Sequence, residues 1–509
     1  MSSVTFPEIG LGSLILRRAE LSPNKPAITY EGTTYSYKEL SDRVARLASA
    51  LRAGGVNRGD RVGYIGLNSN VFLETLYASS CLGAVFVPLN FRLTGPEISY
   101  IASDAGIHTM IADDMLRPLI QSQRESLGCK RYITSESDSE GWEPLAALLD
   151  SAEPVANSEA VDAGDVAFIM YTSGTTGLPK GAMLTHGNLF WNSINTVFGE
   201  EVSSAVSLTC APLFHIGGLN VTTLLTLSKG GHLILHKMFD AAKVLKDIPK
   251  YGVRSMFGAP AMFLMMSQDD AFSSTDFSSV EAFICGGAPV PVPLIELYGK
   301  EGVKFCQGYG LTETAPFGSL LASDDATRKV GSAGTAPMFT EVRIVGKDNQ
   351  PLAANEQGEV CIRGPNVMKG YWNKPAATAE AIDTQGWFHS GDIGYLDNEN
   401  FLYLCDRVKD MVITGGENVY PAEVESVLYG HDSIKEVAVI GLADEKWGEA
   451  VTAICVLNDG HELDLEQLRE FGKQSLAKYK LPLQIHFIAE LPRNPAGKVL
   501  KFKLKEQFA

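Results

Sequence analysis

Short apolar runs, most of them breaking off at glycine or proline, recur through the middle of the chain: AVSLTCAPL (205–213), GGHLILH (230–236), VRSMFGAP (253–260), SVEAFICGGAP (279–289) and KFCQGYG (304–310). Runs of this length, punctuated this way, read as strands buried on both faces, and such strands belong to parallel sheets covered by helices. The first half repeats the pattern. Leu40, Val44, Leu47, Ala48 and Leu51 share one helical face that stops at Gly54 and Gly55, and RVGYIG (61–66), AVFVPLN (84–90) and HTMIAD (108–113) follow as short strands. The fold class this predicts is α/β, with doubly wound subdomains whose strand ends open into a ligand crevice.

Toward the C-terminus the pattern changes. From about residue 335 the chain reads as hairpins, EVRIVG and GEVCIRG joined by turn formers such as DNQP, which predicts a β-rich subdomain. The last hundred residues read as a separate small α+β domain. PAEVESVLYG is a helix with Pro421 in its first turn and Gly430 at its end, followed by the strands VAVIGLAD and AVTAICVL, the helix LEQLREFGKQSLAKY and the strand QIHFIAEL. The expected division is therefore 1–405, a joint at 406–410, and 411–509.

Charge narrows the function. The 509 residues carry 43 Lys and Arg against 60 Asp and Glu, a formal −17, with no basic stretch, so no nucleic-acid partner is expected. The eight cysteines are scattered without a CxxC pair, which argues against a zinc site or a disulfide framework and suits a reducing cytoplasm. No 18-residue apolar stretch and no basic leader are present, so neither a membrane span nor secretion is expected.

The stretch YTSGTTGLPKGA (171–182) carries the first chemical signal. Gly174 and Gly177 let backbone N–H groups turn toward an anion. Thr172, Ser173, Thr175 and Thr176 add hydroxyl donors, and Lys180 adds a charge, so the loop is suited to phosphate. It differs from the nucleoside-triphosphatase loop, because Pro179 precedes Lys180 and Gly181 follows it. The apolar strand DVAFIM before it and the amphipathic segment Leu184 to Phe198 after it argue against a plain surface linker.

Together with YGLTE (309–313), SGD (390–392), DRVKDMVITGGENVYPAEVE (406–425) and PRNPAGK (492–498), this loop gives the chain an ordered motif set that resembles the adenylate-forming superfamily. Within it the sequence looks most like bacterial fatty-acyl-CoA synthetases. The resemblance implies a large N-terminal domain, a small mobile C-terminal domain, and the substrates ATP with Mg2+, a small carboxylic acid and CoA. It implies that Thr172 to Lys180 hold the terminal phosphates, that Glu313 ligates Mg2+, and that Thr312 faces the α-phosphate. Tyr309 would lie against adenine, with Gly287, Ala288 and Pro289 along its other edge. Asp392 would take the ribose hydroxyls and Arg407 the ribose or phosphate side.

Lys498 would bridge the attacking carboxylate and the α-phosphate, held by the stiff loop that Pro492, Pro495 and Gly497 make. Lys409 matches the hinge position, although it could equally pair with Asp406 and Asp410. Gly415 and Gly416 match the backbone of a pantetheine tunnel. Phe214, His215, Gln307, Gly308 and Gly310 match the acyl pocket, and His215 is either a hydrogen-bonded structural residue or a participant in the thiol step. Ser390 stands where many relatives have threonine and keeps the hydroxyl.

The reading that follows is an AMP-forming acid–thiol ligase for a fatty or other apolar acid, located in the cytoplasm as a monomer or homodimer. An amide-forming or carrier-loading relative would share the adenylation residues and differ in the acceptor. A nucleotide-binding regulator on this fold would not need Glu313, Asp392, Arg407 and Lys498 together.

Overall fold

The computed structural model describes residues 9–135, 139–172, 178–199, 205–287, 290–407, 410–414, 417–444, 447–476, 478–493 and 499–509. The chain divides into two compact units, 1–342 with 362–388, and 343–361 with 389–509.

Two eight-stranded sheets organise the first unit. One runs, in spatial order, Gly370–Tyr371, Lys180–Thr185, Val166–Thr172, Val85–Leu89, Arg61–Ile65, Ile107–Ala112, Arg131–Thr134 and Glu143–Pro144. The other runs Phe317–Leu321, Lys304–Gly310, Ala282–Gly286, Ser255–Gly258, Val206–Thr209, His232–Leu235, Pro26–Tyr30 and Thr33–Ser36. The interior of each is parallel. Most of the punctuated apolar runs thus form strands within a residue or two of where the sequence places them. The two-sided burial that made them continuously apolar is visible in Val85–Leu89 and Ala282–Gly286, where every residue is buried.

The phosphate-type loop follows the strand Val166–Thr172, as the sequence predicts, but a strand rather than a helix comes after it. Lys180–Thr185 is a strand antiparallel to Val166–Thr172, with Thr172 opposite Lys180, so the loop is the bend of a hairpin. Leu184 belongs to that strand, and the helix starts only at His186. Thr185 is its cap: its hydroxyl accepts the Asn188 N–H at 3.1 Å, and Asn188 Oδ1 accepts the Thr185 N–H at 2.9 Å. The amphipathic pattern of 184–198 mixes two periods because a buried strand runs straight into a helix.

In the second unit, Gly358–Arg363, Phe388–Leu396 and Leu402–Arg407 lie in one sheet, as the hairpin pattern predicts. A further sheet orders Glu417–Val419, Val412–Thr414, Gly448–Leu457 and Ile434–Asp444, with Gln484–Phe487 parallel to Gly448–Leu457. The helix Pro421–Leu428 buries Val424 and Leu428 on one face of it, and Lys501–Phe508 buries Leu504 in a cluster with Ile440 and Ile454. The helix expected over LEQLREFGKQSLAKY is shorter, Leu465–Gly472. At Gly472 a Cβ would stand 2.9 Å from Leu481, and the chain turns there. Residues 406, 407 and 410 of the expected joint belong to this unit. Among the described residues no helix is long and apolar enough to cross a membrane, and all eight cysteines are free thiols.

His186 ties the N-terminal helix to this frame, its Nδ1 accepting the Leu11 N–H at 3.3 Å. Burial lowers its pKa from 6.5 to about 4. An unfolded imidazole takes up a proton below about pH 6.5, whereas the folded one resists until about pH 4, so this residue's contribution is lost as pH falls through that window. Between pH 7 and 5 the loss should be about 2 kcal/mol. Urea unfolding at the two pH values should show the wild type losing that much more stability than His186→Gln.

Candidate active site

The carboxyl ends of the two large sheets bring three sequence-distant groups together. Thr172 closes its strand, and its hydroxyl lies 3.4 Å from the Lys180 carbonyl and 3.5 Å from Glu313 Oε1. Tyr371, which the sequence reading does not single out, donates its phenol to the same Glu313 oxygen at 2.9 Å. Lys180 Nζ sits 5.2 Å from the centroid of the Tyr371 ring. Glu313 and Thr312 are buried, 7% and 8% exposed. A buried carboxylate surrounded by hydroxyls, at the root of a hydroxyl-rich loop that carries a lysine, is a set of hard oxygen donors of the kind that holds a magnesium nucleotide.

Local geometry explains why Glu313 projects there. The strand Lys304–Gly310 runs into a tight turn, Thr312–Thr314, in which the Leu311 N–H donates to both Thr314 Oγ1 at 2.9 Å and the Pro316 carbonyl at 3.1 Å. Gly310 allows this closure, since a Cβ there would lie 1.6 Å from the Pro316 carbonyl oxygen. Gly308 is similarly required, because a Cβ would lie 2.5 Å from the Phe317 ring. Both glycines were expected in an acyl pocket. Their bare backbone also serves the return of the chain.

A scaffold of buried asparagines then fixes the turn. Asn188, Asn192 and Asn195, spaced four and three apart, share one face of the helix His186–Phe198. Asn188 Nδ2 donates to the carbonyls of Pro365 and Val367, each at 2.8 Å. Asn192 donates to the Asn220 carbonyl at 3.0 Å, and Asn195 to Thr340 Oγ1 at 3.0 Å. From the other side Asn366, fully buried, donates to the carbonyls of Thr314 and Phe317 at 2.8 Å each and accepts from Thr340 Oγ1. The Met368 N–H reaches the Glu313 carbonyl at 2.8 Å. Backbone groups that a buried turn would leave unpaired are thereby satisfied by side chains.

His215 is exposed by accessible area, yet its surroundings desolvate it enough to lower its pKa. The Gly217 N–H points at its Nδ1, 3.3 Å away, so Nδ1 accepts and the neutral ring carries its proton on Nε2. Phe214 is half-buried and packs edge-on against Phe91. Phe257 extends the apolar wall. Cβ atoms at Gly217 and Gly286 would lie 2.6 and 3.1 Å from its ring, so the ring covers bare backbone beside His215. Gln307 is buried and braces the next turn, accepting the Val290 N–H at 3.1 Å. Gly287, with φ of +90° and nothing within 4 Å of a side-chain position, presents open backbone at the end of Ala282–Gly286. Tyr309 is partly exposed at the end of its strand.

In the second unit, Asp392 is buried and lies opposite Arg407 in antiparallel register. Its turn is built by its neighbours. Ser390 Oγ donates to the Val360 carbonyl at 2.6 Å and accepts the Asp392 N–H at 3.0 Å, while the Gly391 N–H donates to Glu359 Oε1 at 3.0 Å. Glu359 Oε2 is 2.9 Å from His389 Nδ1, and Cys361 Sγ is 3.5 Å from the same nitrogen. These three side chains are metal-ligand types within 4.8 Å of one another. Both oxygens of Glu359 are, however, engaged in hydrogen bonds that shape the Asp392 turn. Ser173, Gly174, Thr175, Thr176, Ala288, Pro289, Lys409, Gly415, Gly416 and Lys498 lie outside the described residues, and of Arg407 only the backbone is described.

A doubly wound frame whose two sheets converge on a buried carboxylate and a hydroxyl-rich hairpin loop, followed by a small C-terminal domain, is the architecture of an adenylate-forming enzyme. The chain belongs to the AMP-binding enzyme family: that family matches residues 15–372, and its C-terminal domain matches residues 423–498. It is 44% identical over 500 residues to a feruloyl-CoA synthase of Amycolatopsis sp, covering 98% of this chain and 99% of that one. It is 41% identical over 509 residues to a long-chain-fatty-acid–CoA ligase of Mycobacterium tuberculosis, covering 98% of each. Among solved structures, o-succinylbenzoate CoA synthetase from Bacillus subtilis in complex with its acyl-adenylate superposes with a TM-score of 0.87 at 33% identity, over 97% of this chain and 98% of that one. The protein is accordingly an enzyme of the acid–thiol ligase class.

The asparagine scaffold makes a specific demand. Asn366→Asp keeps the shape but cannot donate to the Thr314 and Phe317 carbonyls, and it adds a buried charge. Chemical denaturation should show a loss of about 3 kcal/mol or more. Asn366→Ala should lose a comparable amount, and pyrophosphate exchange should fall in both.

Proposed function

We propose that the enzyme activates an apolar carboxylic acid bearing a planar aromatic ring and transfers it to CoA. The observation that carries the adenylation half is the Thr172, Glu313 and Tyr371 cluster at the root of the loop that ends in Lys180. In the first step an acid oxygen attacks the α-phosphorus of ATP, the bond to the β-phosphate oxygen breaks, and pyrophosphate leaves. In the second, the CoA sulfur attacks the acyl carbonyl, the bond to AMP breaks, and the thiol proton is released.

The residues would divide this work as follows. The loop from Thr172 to Lys180, with Ser173, Gly174, Thr175 and Thr176, would hold the β- and γ-phosphates, and Thr312 would face the α-phosphate. Glu313 would hold Mg2+, which on binding offsets phosphate charge. Tyr309 and the backbone of Gly287, Ala288 and Pro289 would flank adenine. Asp392 would take the ribose, with Arg407 beside it. Lys498 would offset repulsion between the two anions. Rotation of 411–509 about Lys409 would then withdraw Lys498 and bring Gly415 and Gly416 beside the pantetheine arm.

Relatives named for a ferulic acid thioester and for o-succinylbenzoate support an aromatic acid. The ring of Phe257, packed on Gly217 and Gly286 near His215, suits a flat ring stacked against its free side. The long-chain relative makes a fatty acid the competing substrate.

Pyrophosphate release measured with hydroxycinnamic, arylacetic and C8–C16 fatty acids, with and without CoA, tests the reading. Turnover highest with a hydroxycinnamic acid and dependent on CoA is the expected result. Turnover highest with a fatty acid would replace the aromatic assignment, and amide formed from an added amine without CoA would overturn the acceptor. Phe257→Ala should shift kcat/KM by ~10-fold or more toward longer acids, since each added methylene gains contact only when the wall recedes. Lys498→Ala should slow adenylation by ~10²-fold or more while thioester formation from supplied acyl-adenylate survives. Gly416→Leu should do the opposite; equal loss of both half-reactions would mean that the glycine serves only its own backbone conformation.

A further inference from the structure

We infer that Tyr371 is a positioning residue for adenylation: its hydroxyl aims the Glu313 carboxylate and its ring carries Lys180, so that carboxylate and loop cation are held in one geometry. The inference rests on Glu313 being the residue that receives the magnesium nucleotide.

Three observations support it. First, the phenol donates to Glu313 Oε1 at 2.9 Å, and the Thr172 hydroxyl approaches the same oxygen at 3.5 Å. The phenol bond holds that oxygen in place, with the Thr172 hydroxyl beside it.

Second, Lys180 Nζ lies over the ring face at 5.2 Å. Lys180 opens the strand that returns from the loop, so the ring restricts the place from which its ammonium reaches out.

Third, Tyr371 stands on an immobilised backbone. Its edge strand pairs with the strand that begins at Lys180, Tyr371 opposite Ala182. The Tyr371 N–H donates to Thr378 Oγ1 at 2.9 Å. On either side the Lys369 N–H reaches the Met183 carbonyl at 3.0 Å, and the Trp372 N–H reaches the Gly181 carbonyl at 2.8 Å. A half-buried tyrosine with this support loses little entropy in holding its partner. Second-layer hydrogen bonds to a metal-binding carboxylate govern affinity in this way.

The hydroxyl and ring roles separate by substitution. In Tyr371→Phe the ring stays and the donor is lost; in Tyr371→Leu both are lost. Mn2+·ATP binding would be followed by electron paramagnetic resonance of free Mn2+, metal-free ATP binding by calorimetry, and adenylation rate as a function of Mg2+. Glu313→Gln serves as reference. For Tyr371→Phe we expect Mn2+·ATP binding weakened ~10-fold, a matching rise in half-saturating Mg2+, metal-free ATP binding unchanged, and kcat at saturating Mg2+ within about 3-fold of wild type. Tyr371→Leu should in addition weaken metal-free ATP binding, through Lys180.

If Glu313→Gln weakens Mn2+·ATP binding while Tyr371→Phe does not, the positioning role is overturned and the Glu313 assignment stands. If Glu313→Gln leaves that binding untouched, the Glu313 assignment itself fails. A Tyr371→Phe enzyme that loses kcat with unshifted metal dependence would likewise overturn the inference, since that is what general loosening of the fold would produce.

Discussion

A carboxylate buried between two sheets is costly unless its oxygens are hydrogen-bonded, and the first unit is arranged around meeting that cost at Glu313. The hydroxyls of Thr172 and Tyr371 come to it from the ends of other strands, and the backbone that carries it is closed by Leu311, Thr314 and Pro316. The turn could not be buried without partners for its carbonyls. Asn366 supplies two, and the helix asparagines hold the neighbouring segments that make this possible. Amide side chains suit the task because each offers donors and an acceptor without a charge. The result is a rigid anion-handling site made from uncharged groups, one carboxylate and one lysine.

The second unit solves a related problem with different means. Asp392 must be buried yet presented at a turn, and the Glu359 carboxylate does the work of a backbone partner by accepting the Gly391 N–H. His389 Nδ1 meets the same carboxylate, and Cys361 Sγ meets that nitrogen. Cys361 thus has a place as a small buried side chain against His389. In both places the turn that carries a buried carboxylate is shaped by a side chain from another strand.

Much of this enzyme was legible in its residues. Continuous apolar runs reveal strands buried on both faces, so the doubly wound class and most strand positions follow from periodicity and punctuation alone. The donor chemistry of the loop 171–182 pointed toward phosphate, and the ordered motifs assigned the family. What periodicity blurred was the passage from strand to helix at Thr185, because an apolar strand end and an amphipathic helix start overlap in pattern. Gly308 and Gly310 were readable as glycines with a purpose, but that purpose, room for Phe317 and the Pro316 carbonyl, depends on a chain return that no local pattern encodes.

Local chemistry is written in the sequence: which segments bury and which loop is rich in donors for an anion. Those properties depend on neighbours within a few residues. Only the tertiary structure decided that Tyr371 reaches Glu313, that Asn188, Asn192 and Asn195 reach Pro365, Val367, Asn220 and Thr340, and that Phe257 covers Gly217 and Gly286. A tyrosine in GYWN or an asparagine in HGNLFWN has the same local character wherever it stands. Its role comes from which group the converging sheets bring within hydrogen-bond range, and that range is set by long-range packing rather than by local sequence.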